Sequence, residues 1–236
     1  MTYDVRAEDE VIKAVDLVKI YRLGKIEYPA LRGVNLKIIE GDFVAIVGPS
    51  GSGKSTLLNL FGALDRPTRG TVLIDGVDIS KLNADQLAVL RNSKLGFVFQ
   101  TFNLLTYLNA IQNVEVPLVA SGVPRVERAK KAADTLARVG LEGLEKNRPT
   151  ELSGGQQQRV AVARALINDP KIILADEPTG NLDTESSRNL MDVFHMLNSE
   201  SGVTIIMVTH NLELTNYCNR VIMVRDGLIE REVYND

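Results

Sequence analysis

The sequence is poor in the residues that build disulfides, metal clusters and aromatic cores. Its 236 residues include one cysteine, no tryptophan and 5% aromatic residues. Cys218 on its own can form neither an internal disulfide nor a cysteine metal cluster, and we expect it to be a small packed side chain. A basic excess is also missing, because 27 Lys and Arg residues face 30 Asp and Glu residues for a net charge of -3. Nucleic acid is therefore not expected as a partner unless basic residues form a local patch.

Long hydrophobic runs are missing as well. No apolar stretch reaches the roughly 18 to 20 residues that cross a bilayer, and the longest candidates are strand-length runs such as residues 203–208. The first ten residues are polar and acidic, without the basic and apolar regions of a secretory signal. We therefore expect the chain to remain in the cytosol. Its length fits one large α/β domain or two small ones.

Alternating strand patterns occupy the first part of the chain. In residues 11–18 and 33–39, apolar and polar side chains alternate, which predicts antiparallel strands with one solvated face. Residues 71–79 contain the pair Asp75-Gly76, a turn that tolerates positive φ and predicts a hairpin. These strands would form an amino-terminal antiparallel β subdomain.

Continuous apolar runs predict strands that are covered on both faces, as in a parallel sheet. Each of them is followed by a helical pattern; the runs are residues 43–47, 171–175 and 203–208. We predict one α/β domain whose core comprises residues 1–99 and 156–236, with residues 100–155 inserted as a helical subdomain. One helix of this insertion should pack into the core through an apolar stripe formed by Val126, Ala129, Ala133, Leu136 and Ala137.

A glycine-rich segment follows the run 43–47 and precedes a helical pattern over residues 56–64. Its spacing, G-x-x-x-x-G-K-S, is that of a P-loop, in which backbone N–H groups and a helix dipole face phosphate oxygens. We expect Lys54 to contact the β- and γ-phosphates of a purine nucleoside triphosphate and the Ser55 hydroxyl to bind Mg²⁺. The residues predicted to hold the nucleotide here are Gly48, Pro49, Ser50, Gly51, Ser52, Gly53, Lys54, Ser55 and Thr56.

Two adjacent carboxylates, Asp176 and Glu177, follow the run 171–175. Open α/β sheets bind their ligands at the carboxyl ends of the strands. We expect Asp176 to hold Mg²⁺ through water and Glu177 to polarise the water that attacks the γ-phosphate. Taken alone, the pair could equally be an acidic turn closed by Pro178, but the P-loop motif favours the catalytic interpretation.

A second glycine-rich helix start, Leu152-Ser153-Gly154-Gly155-Gln156, precedes another helical pattern. A helix start of this kind can bind an anion. P-loop kinases and GTPases do not need a second phosphate site, and the sequence has no Asn-Lys-x-Asp motif for guanine. The second motif therefore indicates a different class of P-loop protein.

With these motifs in this order, the sequence resembles the nucleotide-binding subunit of an ATP-binding cassette (ABC) transporter over essentially the whole chain. Further residues match the family's motifs: Gln100 the Q-loop glutamine, Asp183 the D-loop aspartate, His210 the switch histidine and Tyr21 the A-loop aromatic that stacks on adenine. The resemblance implies a P-loop NTPase fold with a mixed sheet, and ATP and Mg²⁺ as ligands.

The resemblance also implies a mechanism that needs two chains. Two copies would face head to tail as a homodimer, so that ATP lies between the P-loop of one copy and the second glycine-rich motif of the other. The triphosphate would then favour the closed dimer, and loss of the γ-phosphate would release it. The residues implied to contact the partner's nucleotide are Ser153, Gly154, Gly155 and Gln156.

Individual roles follow from the same resemblance. Glu177 would activate water, while His210 and Lys54 would stabilise the transferring charge. Gln100 would bind Mg²⁺ and sense the transport partner, and Asp183 would couple the two nucleotide sites.

A cassette without membrane spans would dock on a separate integral membrane permease, at the cytoplasmic face of the membrane. Residues 97–105, 113–118 and 175–183 look most like the lipoprotein-releasing and macrolide-exporting type of cassette. A helix of the permease could dock on an apolar groove in the insertion, or the same side chains could form the core of the helical subdomain. Both interpretations stay open for Phe102, Leu104, Leu105 and Tyr107.

Two other functions compete with this one. A soluble cassette ATPase that acts on DNA or ribosomes usually carries a long coiled-coil insertion or two fused cassettes, and neither is present in 236 residues. A regulatory module that binds nucleotide without turnover would lack the base or the switch residue, whereas Glu177 and His210 are both present.

Overall fold

The structure is a computed structural model that describes residues 10–235. Residues 1–9, on which the argument against a secretory signal depends, and residue 236 lie outside the described part. In chain order the strands are β1 (Glu10–Leu23), β2 (Ile26–Ile39), β3 (Phe43–Val47), β4 (Arg69–Ile74), β5 (Val77–Asp78), β6 (Leu95–Phe99), β7 (Ile172–Asp176), β8 (Thr204–Val208), β9 (Arg220–Arg225) and β10 (Leu228–Tyr234). The α-helices are α1 (Lys54–Phe61), α2 (Ala84–Lys94), α3 (Ala110–Ala120), α4 (Arg125–Arg138), α5 (Gly154–Leu166) and α6 (Thr184–Ser201).

The alternating strands form an antiparallel sheet in the order β2-β1-β4-β5, as predicted. β1 and β2 are longer than the sequence pattern suggested, because their pairing continues to Leu23 and Ile26 at the end of the hairpin. The predicted hairpin joins β4 and β5, and its turn residues Asp75 and Gly76 both have positive φ, 48° and 75°. This is the conformation for which an Asp-Gly pair is favoured in two-residue hairpins.

The apolar runs lie in a six-stranded mixed sheet with the order β10-β9-β3-β8-β7-β6. β3 pairs in parallel with β8 and β9, and β7 pairs in parallel with β6 and β8. Every residue of β3 and β8 is buried. Successive residues pack into different core clusters, with Phe43 in one and Val44 in the other, so both faces of the strand are covered. This double coverage explains why the runs are continuous instead of alternating.

One local helix prediction is wrong. Helices α1 and α6 follow β3 and β7 as expected, but β8 is followed only by a short 3₁₀ helix, Leu212–Tyr217. The Asn211 side chain caps this short helix by accepting a hydrogen bond from Glu213 N at 2.9 Å. The chain then enters β9 almost directly, beside β3.

Helices α3 and α4 pack on α5, beside the sheet. The predicted apolar stripe of α4 is partly wrong, because Val126 is 85% exposed and Ala137 is exposed, while Ala132, Thr135 and Leu136 are buried. The Thr135 hydroxyl donates to the carbonyl of Lys131, one turn earlier, at 2.7 Å. With its hydroxyl satisfied inside the helix, threonine can be buried, and the buried face is rotated from the one that apolar residues alone indicate.

Asp75 connects the hairpin to the mixed sheet, because its carboxylate accepts hydrogen bonds from Lys171 and Lys94 at 2.7 Å each. These two ammonium groups lower the pKa of Asp75 below its ordinary value of 3.8. A lowered carboxyl pKa stabilises the folded state above the ordinary pKa, and this stabilisation is lost as the pH falls through the pKa of the folded protein.

We therefore expect Asp75→Asn to lower the free energy of unfolding at pH 7 by about 0.5 to 1 kcal/mol, as for a partly exposed ion pair. Asparagine also tolerates positive φ, so the turn itself should persist. The difference from the unsubstituted protein should shrink below about pH 3.8. Urea unfolding at pH 7 and at pH 3 measures this difference in the free energy of unfolding. Asp134→Asn, on the exposed face of α4, is the control. A deficit that is the same at pH 3 and pH 7 would contradict the ion-pair explanation.

Candidate nucleotide-binding and hydrolysis site

The P-loop lies between the end of β3 and the start of α1, which begins at Lys54. Gly48, Gly51 and Gly53 have positive φ values of 154°, 77° and 107°. A Cβ atom on Gly48 would collide with the carbonyl of Val224, and one on Gly53 would lie 2.6 Å from the carbonyl of Ala30. The backbone of the loop therefore approaches β9 and β2 closely, as only glycine permits.

Lys54 is nearly buried, with 9% of its surface exposed, and its Nζ donates to the carbonyls of Gly48 and Pro49 at 2.9 Å each. The loop borders a cavity of about 380 Å³. Glu177 and His210 also line this cavity, although they come from the ends of β7 and β8. The structure thus brings Lys54, Glu177 and His210 to one place.

The two carboxylates differ in their surroundings. Asp176 ends β7, and its Oδ1 lies 3.4 Å from the Ser55 hydroxyl. Burial raises the pKa of Asp176, and the neighbouring charge of Glu177 raises it further. Glu177 has a φ of 47°, its N–H donates to the carbonyl of Val208 at 2.9 Å, and its Oε2 lies 2.8 Å from His210 Nδ1. Glu177 is therefore held from both its backbone and its side chain.

Ser55 and Asp176 fit a magnesium ion, because hydroxyl and carboxylate oxygens are the ligands that Mg²⁺ prefers and the two lie next to each other. Gln100, the third predicted ligand, follows Phe99, which pairs with Asp176, but its side chain contacts another segment. Its Nε2 is 3.3 Å from Asn181 Oδ1, and Asn181 Nδ2 donates back to the Gln100 carbonyl at 3.0 Å. The side chain also covers Gly180, where a Cβ would lie 2.6 Å from Gln100 Nε2. The Q-loop glutamine therefore contacts the D-loop segment in this structure.

Tyr21 lies on β1, outside the group of residues that line the cavity, and 40% of its surface is exposed. Its hydroxyl donates to Asp65 at 2.9 Å, and Lys19 bonds the same carboxylate at 2.6 Å with its Nζ 4.9 Å from the ring centroid. Burial raises the pKa of Tyr21, and Asp65 adds to the rise. Asp65 and Lys19 were not predicted, because neither belongs to a recognisable motif.

The second glycine-rich motif does not line the P-loop cavity. Ser153 is exposed and caps α5, since its Oγ accepts from Gln156 N at 3.3 Å and Gln156 Oε1 accepts from Ser153 N at 2.8 Å. Gly155 packs against α6, where a Cβ would lie 2.8 Å from Ser186 Oγ. A Cβ on Gly154 would lie 3.6 Å from Leu182 Cδ2, in the segment before α6. This helix start therefore lies outside the P-loop cavity of its own chain.

Asp183, the predicted coupling residue, caps α6 by accepting from Ser186 N and Ser186 Oγ at 2.8 Å each. The backbone N–H of Ser186, followed by its hydroxyl, lowers the pKa of Asp183. The carboxylate is exposed and therefore open to contact from outside the chain.

A groove of about 670 Å³ opens between α2, β6, α3 and α5. None of the four side chains considered for docking lines it: Leu104 packs against the core and Tyr107 is 70% exposed. For Leu104 the structure favours the core interpretation. The groove is lined instead by residues such as Val89, Phe97 and Pro117, none of which the sequence analysis considered for docking.

Sequence reasoning also missed Gln158, which is fully buried on α5. Its Nε2 donates to the carbonyls of Pro178, at 2.5 Å, and Phe99, at 3.2 Å. The side chain thus connects α5, the helix that begins at the second glycine-rich motif, to Pro178 beside Glu177 and to Phe99 beside Gln100. A polar residue at a buried helical position was the available signal.

Within residues 10–235, no helix has both the length and the apolar character to cross a membrane. The same residues contain no group of three or more His, Cys, Asp or Glu side chains arranged to hold a metal ion.

The family model described as "ABC transporter" matches residues 31–180 of the chain. The chain belongs to this family. An uncharacterized ABC transporter ATP-binding protein of Thermotoga maritima is 52% identical over 94% of this chain and 94% of its own length. The macrolide export ATP-binding/permease protein MacB of Syntrophobacter fumaroxidans is also 52% identical over 94% of this chain, which spans only 32% of that longer protein.

A solved structure of the ATP-binding cassette MJ0796 is similar over the whole fold, with a TM-score of 0.87, 46% identity and coverage of 94% of this chain and 98% of that one. That structure is dimeric and is described as a post-hydrolysis state bound to ADP and Pi. MJ0796 comes from Methanocaldococcus jannaschii. The predictions of an ABC ATP-binding protein and of its P-loop NTPase fold are thus confirmed.

Proposed function

We propose that this ABC protein binds and hydrolyses ATP as the cytoplasmic subunit of a transporter, and that ATP-driven dimerisation moves a separate membrane permease. One observation carries the proposal: a single cavity joins the P-loop and Lys54 to Glu177 and His210. Phosphoryl transfer to water requires a phosphate-binding loop, a cation and a base. The P-loop, Lys54 and Glu177 are these three groups.

Each side chain has a role that its position supports. When ATP binds, the Lys54 ammonium group gives up its hydrogen bonds to the carbonyls of Gly48 and Pro49 and donates to phosphate oxygens instead. Ser55 and Asp176 would hold Mg²⁺, which would supply positive charge to neutralise the phosphates. Glu177 accepts the proton of the attacking water, and His210, 2.8 Å from Glu177, stabilises charge beside it.

Glu177 is pre-positioned for this role by its backbone, since its N–H is bonded to Val208 and its φ is 47°. A catalytic base that is already oriented loses little conformational freedom when the water binds. Tyr21 offers an exposed ring beside the P-loop helix for stacking on the adenine base.

The site is completed by a second copy of the chain. Ser153, Gly154, Gly155 and Gln156 form a helix start outside the P-loop cavity, where Ser153 is exposed, the other three are partly exposed and backbone N–H groups can bind phosphate. Gln100 bonds Asn181, and Asn181 and Leu182 lie close to Gly154, so Gln100 and the neighbouring Asp183 would connect the two sites. The dimeric state of the MJ0796 cassette supports this arrangement.

The permease docks in the groove between α2, β6, α3 and α5, where residues 100–155 act as a helical subdomain next to the catalytic core. The groove has mostly apolar walls, with polar side chains such as Arg91, Asn92 and Asn168 among them, and a volume that accommodates a short helix. The MacB relative supports a transporter of the macrolide-exporting type. Nucleic acid is not needed for the activity.

The dependence of hydrolysis on protein concentration tests this function. We expect phosphate release in Mg²⁺ and ATP, with a specific activity that rises with protein concentration until the dimer is saturated, because each site needs two chains. A specific activity that is constant over a hundredfold dilution would contradict the shared site. Absence of phosphate release at every concentration would contradict the ATPase function itself.

A further inference from the structure

Tyr21, which we assign to the adenine base, is held by contacts that lie outside every motif of the sequence. Its hydroxyl donates to Asp65 Oδ2 at 2.9 Å, and Asp65 lies in the segment between α1 and β4. Burial raises the pKa of the Tyr21 phenol, and the hydroxyl of Thr56, which lines the P-loop cavity, acts in the opposite direction. The phenol therefore lies near this cavity and is tied to the segment that follows the P-loop helix.

The ammonium group of Lys19 contacts one face of the same ring. Lys19 and Tyr21 are two positions apart on β1, so their side chains lie on the same face of the strand. Lys19 Nζ lies over the ring, 4.9 Å from its centroid, where a cation is attracted to the negative face of an aromatic group. The same Nζ donates to Asp65 Oδ1 at 2.6 Å and to the carbonyl of Arg66 at 2.9 Å. Three partners thus fix this ammonium group, and the Lys19 side chain is only 13% exposed.

Tyr28 shows that an exposed tyrosine of this hairpin does not need such contacts. It pairs directly with Tyr21 across β1 and β2, and its exposure is similar, 49% compared with 40%. Its hydroxyl makes no hydrogen bond to any group within residues 10–235. The contacts with Lys19 and Asp65 are therefore a property of Tyr21 and not of the hairpin as a whole.

These contacts leave one face of the Tyr21 ring available. The hydroxyl fixes the direction of the ring and the ammonium group occupies one face, so a flat ligand can stack only on the opposite face. The ammonium group also draws ring electrons toward itself, which lowers the electron density of the free face. Two electron-rich faces repel each other, so a purine base should stack better on a ring whose free face is poorer in electrons.

We propose that Lys19 and Asp65 are positioning residues for nucleobase recognition: they hold the Tyr21 ring so that its free face stacks on the adenine base of ATP. The inference rests on the proposed function, since it assumes that Tyr21 contacts adenine. It assigns a share of the affinity for the base to two residues outside the motifs. Neither of them lines the P-loop cavity, so the affinity for the phosphates should not depend on them.

A comparison of ATP with inorganic tripolyphosphate tests the inference, because tripolyphosphate has three phosphates but no base. Lys19→Met keeps most of the aliphatic stem and removes the ammonium group. We expect it to weaken ATP binding by about fivefold, and tripolyphosphate binding by less than about 1.5-fold. Displacement of a fluorescent ATP analogue from the dilute, monomeric chain measures both affinities, with Glu177→Gln in every chain to remove hydrolysis.

Lys13 gives a matched control. It lies on the same strand, and its Nζ is 3.1 Å from Glu10 Oε2 in an ion pair that involves neither Tyr21 nor Asp65. Lys13→Met therefore removes a charge and an ion pair from β1 but should leave the affinities for ATP and tripolyphosphate unchanged.

Two further substitutions separate positioning from general packing. Tyr21→Ala should weaken ATP binding by about tenfold, as for the loss of a stacked base. Because Lys19 acts through the ring, Lys19→Met should have no further effect in a chain that already carries Tyr21→Ala. Asp65→Asn keeps an acceptor for the phenol but loses the charge that holds Lys19, and it should weaken ATP binding by about threefold. It also decides the matter if Lys19→Met does not fold.

The inference is overturned if Lys19→Met binds ATP like its parent, or if it loses affinity for tripolyphosphate as much as for ATP. A full effect of Lys19→Met in the Tyr21→Ala chain would also overturn it, because Lys19 would then act without the ring. If Tyr21→Ala itself binds ATP normally, the assignment of adenine to Tyr21 fails first and the inference fails with it. Absence of ATP binding by the parent chain would instead contradict the proposed function as a whole, so the failures are distinguished.

Discussion

Replacing Lys54 by methionine should weaken ATP binding by about 100-fold or more, equivalent to roughly 2.7 kcal/mol. Methionine keeps most of the aliphatic stem but lacks the ammonium group, which is almost buried against the carbonyls of Gly48 and Pro49. A charged donor at a phosphate is among the strongest hydrogen-bonding partners available to a protein. No other lysine or arginine lines the P-loop cavity among the described residues.

Isothermal titration with ATP measures this loss. Lys130→Met, on the exposed face of α4, is the control and should bind ATP like the unsubstituted chain. Thermal unfolding should accompany the titration, because the carbonyls that Lys54 satisfies lose their donor as well. A well-folded Lys54→Met chain with ATP affinity within about twofold of the original would refute the assignment of Lys54 to the phosphates.

Replacing Glu177 by glutamine should reduce hydrolysis by about 10² to 10⁴-fold, the range expected for loss of a general base. Glutamine has nearly the same shape and can still face His210, but its amide cannot accept the proton of the attacking water. ATP binding should persist, because the P-loop and Lys54 are unchanged. ATP should then accumulate in an uncleaved complex of two chains.

Phosphate release and gel filtration with saturating ATP test both parts of this expectation. Glu185→Gln, an exposed carboxylate in the first turn of α6, is the matched control and should hydrolyse normally. A Glu177→Gln chain that turns over ATP at the original rate would show that another group activates the water. One that binds ATP but stays monomeric would argue against the shared site.

The position of Asp176 in the candidate site lowers the stability of the folded protein. Burial and the charge of Glu177 both disfavour its ionised form, so its pKa is raised. In the proposed function this carboxylate would hold Mg²⁺ beside Ser55, a role for which its ionised form is needed although that form does not stabilise the fold. Sites that bind charged ligands commonly keep residues that the empty protein would be more stable without.

The sequence alone was sufficient to predict three strands of the mixed sheet, β3, β7 and β8, and the glycine-rich loop that follows β3. Strands covered on both faces must be apolar throughout, so residues 43–47 and 203–208 stand out from their surroundings. The glycines of the P-loop are fixed by close backbone contacts, such as that of Gly48 with Val224, and their spacing is therefore informative. Local chemistry determines these features almost completely.

Features that depend on distant contacts were harder to predict. Thr135 is buried by the packing of α4 in the fold, with its hydroxyl bonded to the Lys131 carbonyl, so the buried face of α4 differs from the predicted stripe. Gln100 contacts Asn181, 81 positions later in the chain, and no sequence pattern encodes that pairing. The carbonyl of Phe102, a residue with a left-handed backbone, accepts a hydrogen bond from Arg164, 62 positions later in the chain. Each of these features depends on contacts that form only in the folded chain, so the local sequence does not determine it.

The central claim is that every nucleotide is enclosed by two chains, and the reactivity of Ser153→Cys tests it most directly. The chain has one natural cysteine, Cys218, which is 2% exposed and whose pKa burial raises to about 12, so it should not react with maleimide. Ser201→Cys serves as an exposed control at the far end of α6, about 27 Å from the start of that helix.

In the Glu177→Gln background without ATP, maleimide should modify Ser153→Cys and Ser201→Cys at similar rates, because both positions are exposed. With saturating ATP we predict that labelling of Ser153→Cys slows by at least tenfold at protein concentrations that give the dimer, and that dilution to the monomer restores it. Labelling of Ser201→Cys should not change. Unchanged, rapid labelling of Ser153→Cys in an ATP-bound dimer would contradict the account.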